Sequence, residues 1–80
     1  MSEAVAQTPM LCGDRTEVLA KLKNSYAEVP ISIGLGNNGA VIEVFASNSG
    51  SFTIVMTRPE GISCLLASGQ SWENLPKKSI

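Results

Sequence analysis

Histidine is absent from this 80-residue chain, and cysteine occurs only twice, at Cys12 and Cys64. Without imidazole, a Cys or Ser nucleophile would have to borrow Lys, Asp or Glu as its base, and none stands where it could serve. Two thiolates far apart, with no His and no second Cys pair, cannot complete a structural zinc site from thiolate and imidazole ligands. Aromatics are sparse: Tyr26, Phe45, Phe52 and Trp72 are the whole set. None is interleaved with Arg or Lys, so a base-stacking platform is missing. Six Lys and Arg stand against seven Asp and Glu, scattered rather than blocked. No basic stripe follows a phosphate backbone, which argues against nucleic acid as a partner. The apolar runs fall far short of the roughly 20 residues that span a bilayer, so no membrane insertion is expected. No cofactor and no metal are expected, and the chain reads as a non-enzyme.

What is present begins with the two cysteines. A single domain of this size buries only about 60–65% of the surface its unfolded chain exposes, so small domains commonly add a staple. An even cysteine count at long separation reads first as a disulfide and implies an oxidising compartment. A Cys12–Cys64 bridge would close a loop of about 52 residues, worth on the order of 4 kcal/mol if chain entropy is the whole account. Two separate, reduced, buried thiols are the competing reading. Ala4-Val5-Ala6 has the small-x-small form that ends a secretory signal, although residues 1–10 lack a basic and an apolar region before it. An ordinary polar tail explains the same residues.

Along the chain, residues 1–11 read as a flexible N-terminal lead, 12–75 as a single α+β domain and 76–80 as a C-terminal tail. Asp14 and Glu17 form the Asp-x-x-Glu pattern of a capping box. Val18, Leu19, Leu22 and Tyr26 follow on one helical stripe, with Arg15, Lys21 and Lys23 facing water. The helix should stop before Pro30. The period then changes to two. Residues 31–35, 40–46, 51–57 and 62–67 read as four strands, separated by Asn37-Asn38-Gly39, Asn48-Ser49-Gly50 and Pro59-Glu60-Gly61. These turns predict an antiparallel meander. One N-terminal helix on a four-stranded antiparallel sheet makes a two-layer α+β sandwich.

Alternation sorts the strand residues into two faces. The inner face is expected to carry Ile31, Ile33, Ile42, Val44, Phe52, Ile54, Met56, Ile62, Cys64 and Leu66, beneath a helix whose start holds Cys12. The outer face is expected to carry Val41, Glu43, Phe45, Thr53, Val55, Thr57, Ser63, Leu65 and Ala67. Several large apolar side chains on an uncovered face suggest an interaction surface, for a protein partner or a weak homodimer. Val41, Glu43, Phe45, Val55, Leu65 and Trp72 are its expected contact residues. The competing reading has the tail around Trp72 and Leu75, or the N-terminal lead, wrap over this face. Trp72 reads mainly as a lid over one end of the core.

Signs of chemistry are weak. Gly34, Gly36 and Gly39 imitate a glycine-rich loop, but they lie between antiparallel strands rather than before a helix N-terminus. Glu43, flanked by Ile42 and Val44, reads as solvent-facing and paired with Arg58 or a lysine. No second carboxylate is placed opposite it.

From Cys12 to about Glu73 the chain resembles a family of small exported, periplasmic proteins of alphaproteobacterial type with two cysteines. The resemblance rests on Cys12-x-x-Arg15, Leu22, Tyr26-x-Glu28, Gly34-Leu35, Asn38-Gly39 and Glu43-Val44-Phe45. It continues through Gly50-Ser51-Phe52-Thr53, Pro59-x-Gly61, Ser63-Cys64-Leu65 and Ala67-Ser68-Gly69-Gln70. It implies fold and compartment and carries no activity. The sequence thus leads to a non-catalytic binding domain of the bacterial envelope or periplasm, stapled by Cys12 and Cys64. An inhibitor or chaperone-like module for an envelope protease is one alternative, and a small cysteine-dependent enzyme another.

Overall fold

Three four-residue segments ending in glycine organise the sheet: Gly36-Asn37-Asn38-Gly39, Ser47-Asn48-Ser49-Gly50 and Arg58-Pro59-Glu60-Gly61. In the computed structural model, which describes residues 11–75, all three make the same turn. The glycine N–H donates to the carbonyl of the segment's first residue at 3.0, 3.1 and 2.8 Å. The first residue's own N–H donates to the residue after the glycine at 2.7, 3.0 and 2.9 Å. Gly39, Gly50 and Gly61 have φ of 87°, 100° and 97°, the left-handed position that a type I turn with a one-residue bulge requires. Of the expected lead over residues 1–11, residues 1–10 lie outside the described residues, as does the tail over 76–80, while Leu11 accepts from the Leu65 N–H at 2.8 Å.

The elements run β1 (Cys12–Asp14), α1 (Arg15–Tyr26), β2 (Val29–Leu35), β3 (Val41–Ala46), β4 (Phe52–Thr57) and β5 (Ile62–Gly69). They form one five-stranded antiparallel sheet in the order β1-β5-β4-β3-β2. The fold is α+β as expected, with two corrections. The sheet has five strands rather than four, and the helix follows a strand rather than opening the domain. Cys-Gly-Asp is too short to show a period of two, and β1 exists because it pairs with β5. That pairing sets Cys12 directly opposite Cys64.

Helix α1 starts on Asp14, whose backbone is extended, but the Asp14 side chain makes no capping hydrogen bond. The expected capping box therefore does not form. The β1 ladder satisfies one of the orphan donors instead, as the Arg15 N–H donates to the Gly61 carbonyl at 3.1 Å. The helix closes before Pro30 in an αL C-cap. Ala27 N–H donates to Lys23 O at 3.0 Å, and Glu28 N–H to Leu22 O at 3.1 Å. Ala27 takes the left-handed conformation that this motif usually gives to glycine.

The core consists of Leu22, Phe45 and Val55, with Val18, Leu19 and Leu65 packed against it. Tyr26, on the same stripe by spacing, is exposed.

This core reverses the expected faces. Within β3 and β4 the alternation is right, since Phe45 opposes Thr53, Glu43 opposes Val55 and Val55 opposes Leu65. It fails for β2, where Ile33 opposes Glu43, and past the bulge in β5, where Ala67 opposes Ile54. The helix, however, covers that set and leaves Ile42, Val44, Ile54 and Met56 on the other side. The cause is topological. β1 lies at one edge and β2 at the other, both pointing the same way, so α1 is a crossover spanning the sheet. The hand of a crossover decides which face it covers, and hydrophobicity does not. Missing β1 meant missing the crossover. The residues beneath the helix include the small Thr53, Thr57 and Ser63, all buried, and Thr57 and Ser63 share a 2.6 Å hydroxyl hydrogen bond.

Candidate functional site

The expected contact residues divide between two surroundings. Phe45 is 1% exposed and Val55 fully buried, both in the core under α1. Leu65 packs against that core, and Val41 is half-buried on the same face. A surface made of these residues is not available to a partner, because the helix occupies it. Trp72 stands apart. Its ring lies 5.1 Å from that of Phe52, on the face away from the helix, and its backbone N–H donates to the Gly50 carbonyl at 2.9 Å.

Glu43 is not solvent-facing. Its side chain is 4% exposed, beneath the helix, and both carboxylate oxygens accept from Arg15 Nη2 at 3.0 Å. Neither Arg58 nor a lysine takes that place. Arg15 is the first residue of α1, so this ion pair ties the start of the helix to the middle of β3. Its role is structural.

The cysteines are joined, with Cα atoms 4.0 Å apart. Leu65 N–H donates to Leu11 O at 2.8 Å, which makes Cys12 and Cys64 the next, non-hydrogen-bonded pair of the ladder. Such pairs bring side chains closest, so the bridge fits across neighbouring strands. It links strand to strand rather than helix to sheet. Both thiols are consumed, and a cysteine nucleophile has no free sulfur to use. Among the described residues no cluster of three acidic or Cys side chains could hold a metal ion, and no helix is long and apolar enough to cross a membrane.

Two surfaces remain. One is the uncovered sheet face, with half-buried Ile42, Val44, Ile54, Met56 and Ile62 and the Phe52–Trp72 pair at one end. The other is the free edge at β2, where every residue from Val29 to Leu35 is exposed. Ile33 is 73% and Leu35 76% exposed, although they share a face with the core. The helix leans toward the opposite edge, against β1 and β5, and leaves them bare. The Gly36 N–H to Ala40 O bond sets the phase of the β2–β3 ladder. Gly34 and Ser32 bond to β3, so Ile33 and Leu35 aim their backbone N–H and C=O groups outward. The strand carries no charge.

A third feature escaped the sequence reading. Glu28, just past the Ala27 cap of the helix, is 3% exposed, and among the described residues its Oε1 has no hydrogen-bond partner. The signal that could have found it is its place between the helix stop and Pro30. A residue there must turn from helix to sheet, and its side chain is carried inward. No family model matches the chain, and no curated protein or solved structure matches it either.

Proposed function

We propose that this chain is a non-catalytic binding domain of an oxidising compartment, the bacterial periplasm or cell exterior, which takes an extended apolar segment of a partner protein along β2. The observation that carries this reading is the outward-facing ladder of Ile33 and Leu35 on an uncharged, fully exposed edge strand. Unpaired edge backbone is a template for another strand, and natural proteins normally hide or charge it. Added strands gain affinity from the main-chain ladder and specificity from alternate side chains. Here those side chains would meet Ile33 and Leu35 on one face and Ser32 and Gly34 on the other.

A second copy of this chain fits the edge less well. Pro30, and the register shift between Pro30 and Ser32, leave Ser32–Leu35 as the straight part of β2. Two-fold pairing would set each copy's irregular end against the other strand, whereas a straight foreign strand meets that irregularity once. The other edge, β1, has three residues and offers a much shorter ladder. The disulfide fits an oxidising compartment, and it supports the periplasmic placement.

The test is calorimetric titration of the oxidised protein with uncharged heptapeptides that alternate Val or Ile with Thr. Saturable binding that Ile33→Lys with Leu35→Lys weakens at least tenfold supports the reading. Binding unchanged by those substitutions, no binding by any peptide, or a stable dimer in sedimentation that the same substitutions dissolve would overturn it.

A further inference from the structure

A cavity of about 180 Å³ opens beside Glu28, at the end of the sheet where α1 stops. Tyr26, Glu28, Ser51, Thr53, Ser68 and Gln70 supply its polar wall, and Phe52, Leu65 and Gly69 the rest. Polar and apolar groups share the wall about equally, and among the described residues no Lys or Arg lines it. Glu28 is the deepest of the acidic side chains at this end, and no side-chain hydrogen bond is made to its Oε1. Buried carboxyl oxygens are almost always hydrogen-bonded, and one that is not calls for an explanation. The sheet and helix have not neutralised it from within.

Its position reinforces the sign of what it would attract. The Glu28 N–H closes the helix on Leu22 O, which anchors the residue at the C-terminal end of a 12-residue helix. That end carries roughly half a negative charge, which favours a cation. The cavity exceeds what one water needs, and it is ample for a few heavy atoms bearing N–H groups.

We propose that the Glu28 cavity is a binding site for a small cation with several N–H donors, a guanidinium or primary ammonium on a short aliphatic stem. The N–H groups donate to the Glu28 carboxylate and to the hydroxyl and amide oxygens of the wall, and the stem lies against Leu65. The site lies at the Val29 end of β2, not at Ile33 and Leu35, and depends on no part of the strand-binding reading.

The experiment is a titration of the isotopically labelled, oxidised protein followed by amide chemical shifts. The probes are methylguanidinium, n-butylammonium, a blocked arginine amide and tetramethylammonium. The first three should give saturable shifts at Glu28, Ser68 and Gln70. Tetramethylammonium, with charge but no N–H, should not. Glu28→Gln should weaken binding at least tenfold. Ser68→Lys provides a second route, because it keeps Glu28 and fills the exposed mouth with its own ammonium, and it should abolish the titration. Tighter binding of the blocked arginine than of methylguanidinium would assign the site to a protein side chain, and the reverse to a free small molecule; both support it. No saturable shift with any probe, equal binding by tetramethylammonium, or full binding by Ser68→Lys would overturn the proposal.

Discussion

Arg15 Nη2 stands 3.0 Å from both carboxylate oxygens of Glu43, joining the first residue of the helix to the centre of the sheet across 28 positions of sequence. The carboxylate is buried while the guanidinium is 45% exposed, so the two halves of the pair are unequal. Removing the arginine strands a buried charge, whereas removing the carboxylate leaves an arginine that water can reach.

Arg15→Ala is therefore expected to cost about 1–3 kcal/mol, below the usual figure for a fully buried pair because Arg15 is partly solvated. Replacing both, Arg15→Met with Glu43→Leu, should restore stability to within about 1 kcal/mol of the parent. Urea unfolding of the two variants checks this, and a double variant as weak as the single one would contradict it.

Ala27 holds the left-handed position that ends the helix, at φ 55° and exposed to solvent. A Cβ there costs on the order of 1 kcal/mol. Ala27→Gly should raise stability by about 0.5–1 kcal/mol despite the added freedom of the unfolded chain. Thermal unfolding measures the gain.

The covered face is tested by comparing positions that the sequence alone ranks wrongly. Phe45→Ala should cost about 3–5 kcal/mol, since it empties the centre of the core. Ile33→Ala should stay within about 0.5 kcal/mol, because Ile33 touches mostly solvent. Denaturant midpoints of the two variants decide between this arrangement and its inverse.

The disulfide closes a separation of 52 residues. Cys12→Ser with Cys64→Ser should cost about 2–5 kcal/mol and detach β1 before the remaining strands. Amide exchange at Gly13 and Ser63 should rise more than exchange at Val44 and Val55. Uniform loosening would contradict the strand-to-strand placement of the bridge.

These comparisons also show what the sequence could and could not convey. Turns were legible because glycine at Gly39, Gly50 and Gly61 answers a local steric demand. The cysteine pair was legible by count. Alternation correctly grouped Glu43 with Phe45, Val55 and Leu65, yet gave no sign of which group the helix would cover. That depends on β1, three residues whose strand character comes from β5 and not from their own composition. Glu43 was misread for the same reason, as its partner Arg15 arrives with the helix. The orphaned Glu28 had no motif to announce it, since it is buried by the path of the chain.

The strand-binding account is tested most directly by hydrogen exchange at Ile33 and Leu35, whose N–H groups point away from β3. In the free protein both amides should exchange rapidly. With a saturating uncharged extended heptapeptide both should slow at least tenfold, while Leu75 does not change. Unaltered exchange at Ile33 and Leu35 under saturating peptide would contradict the account.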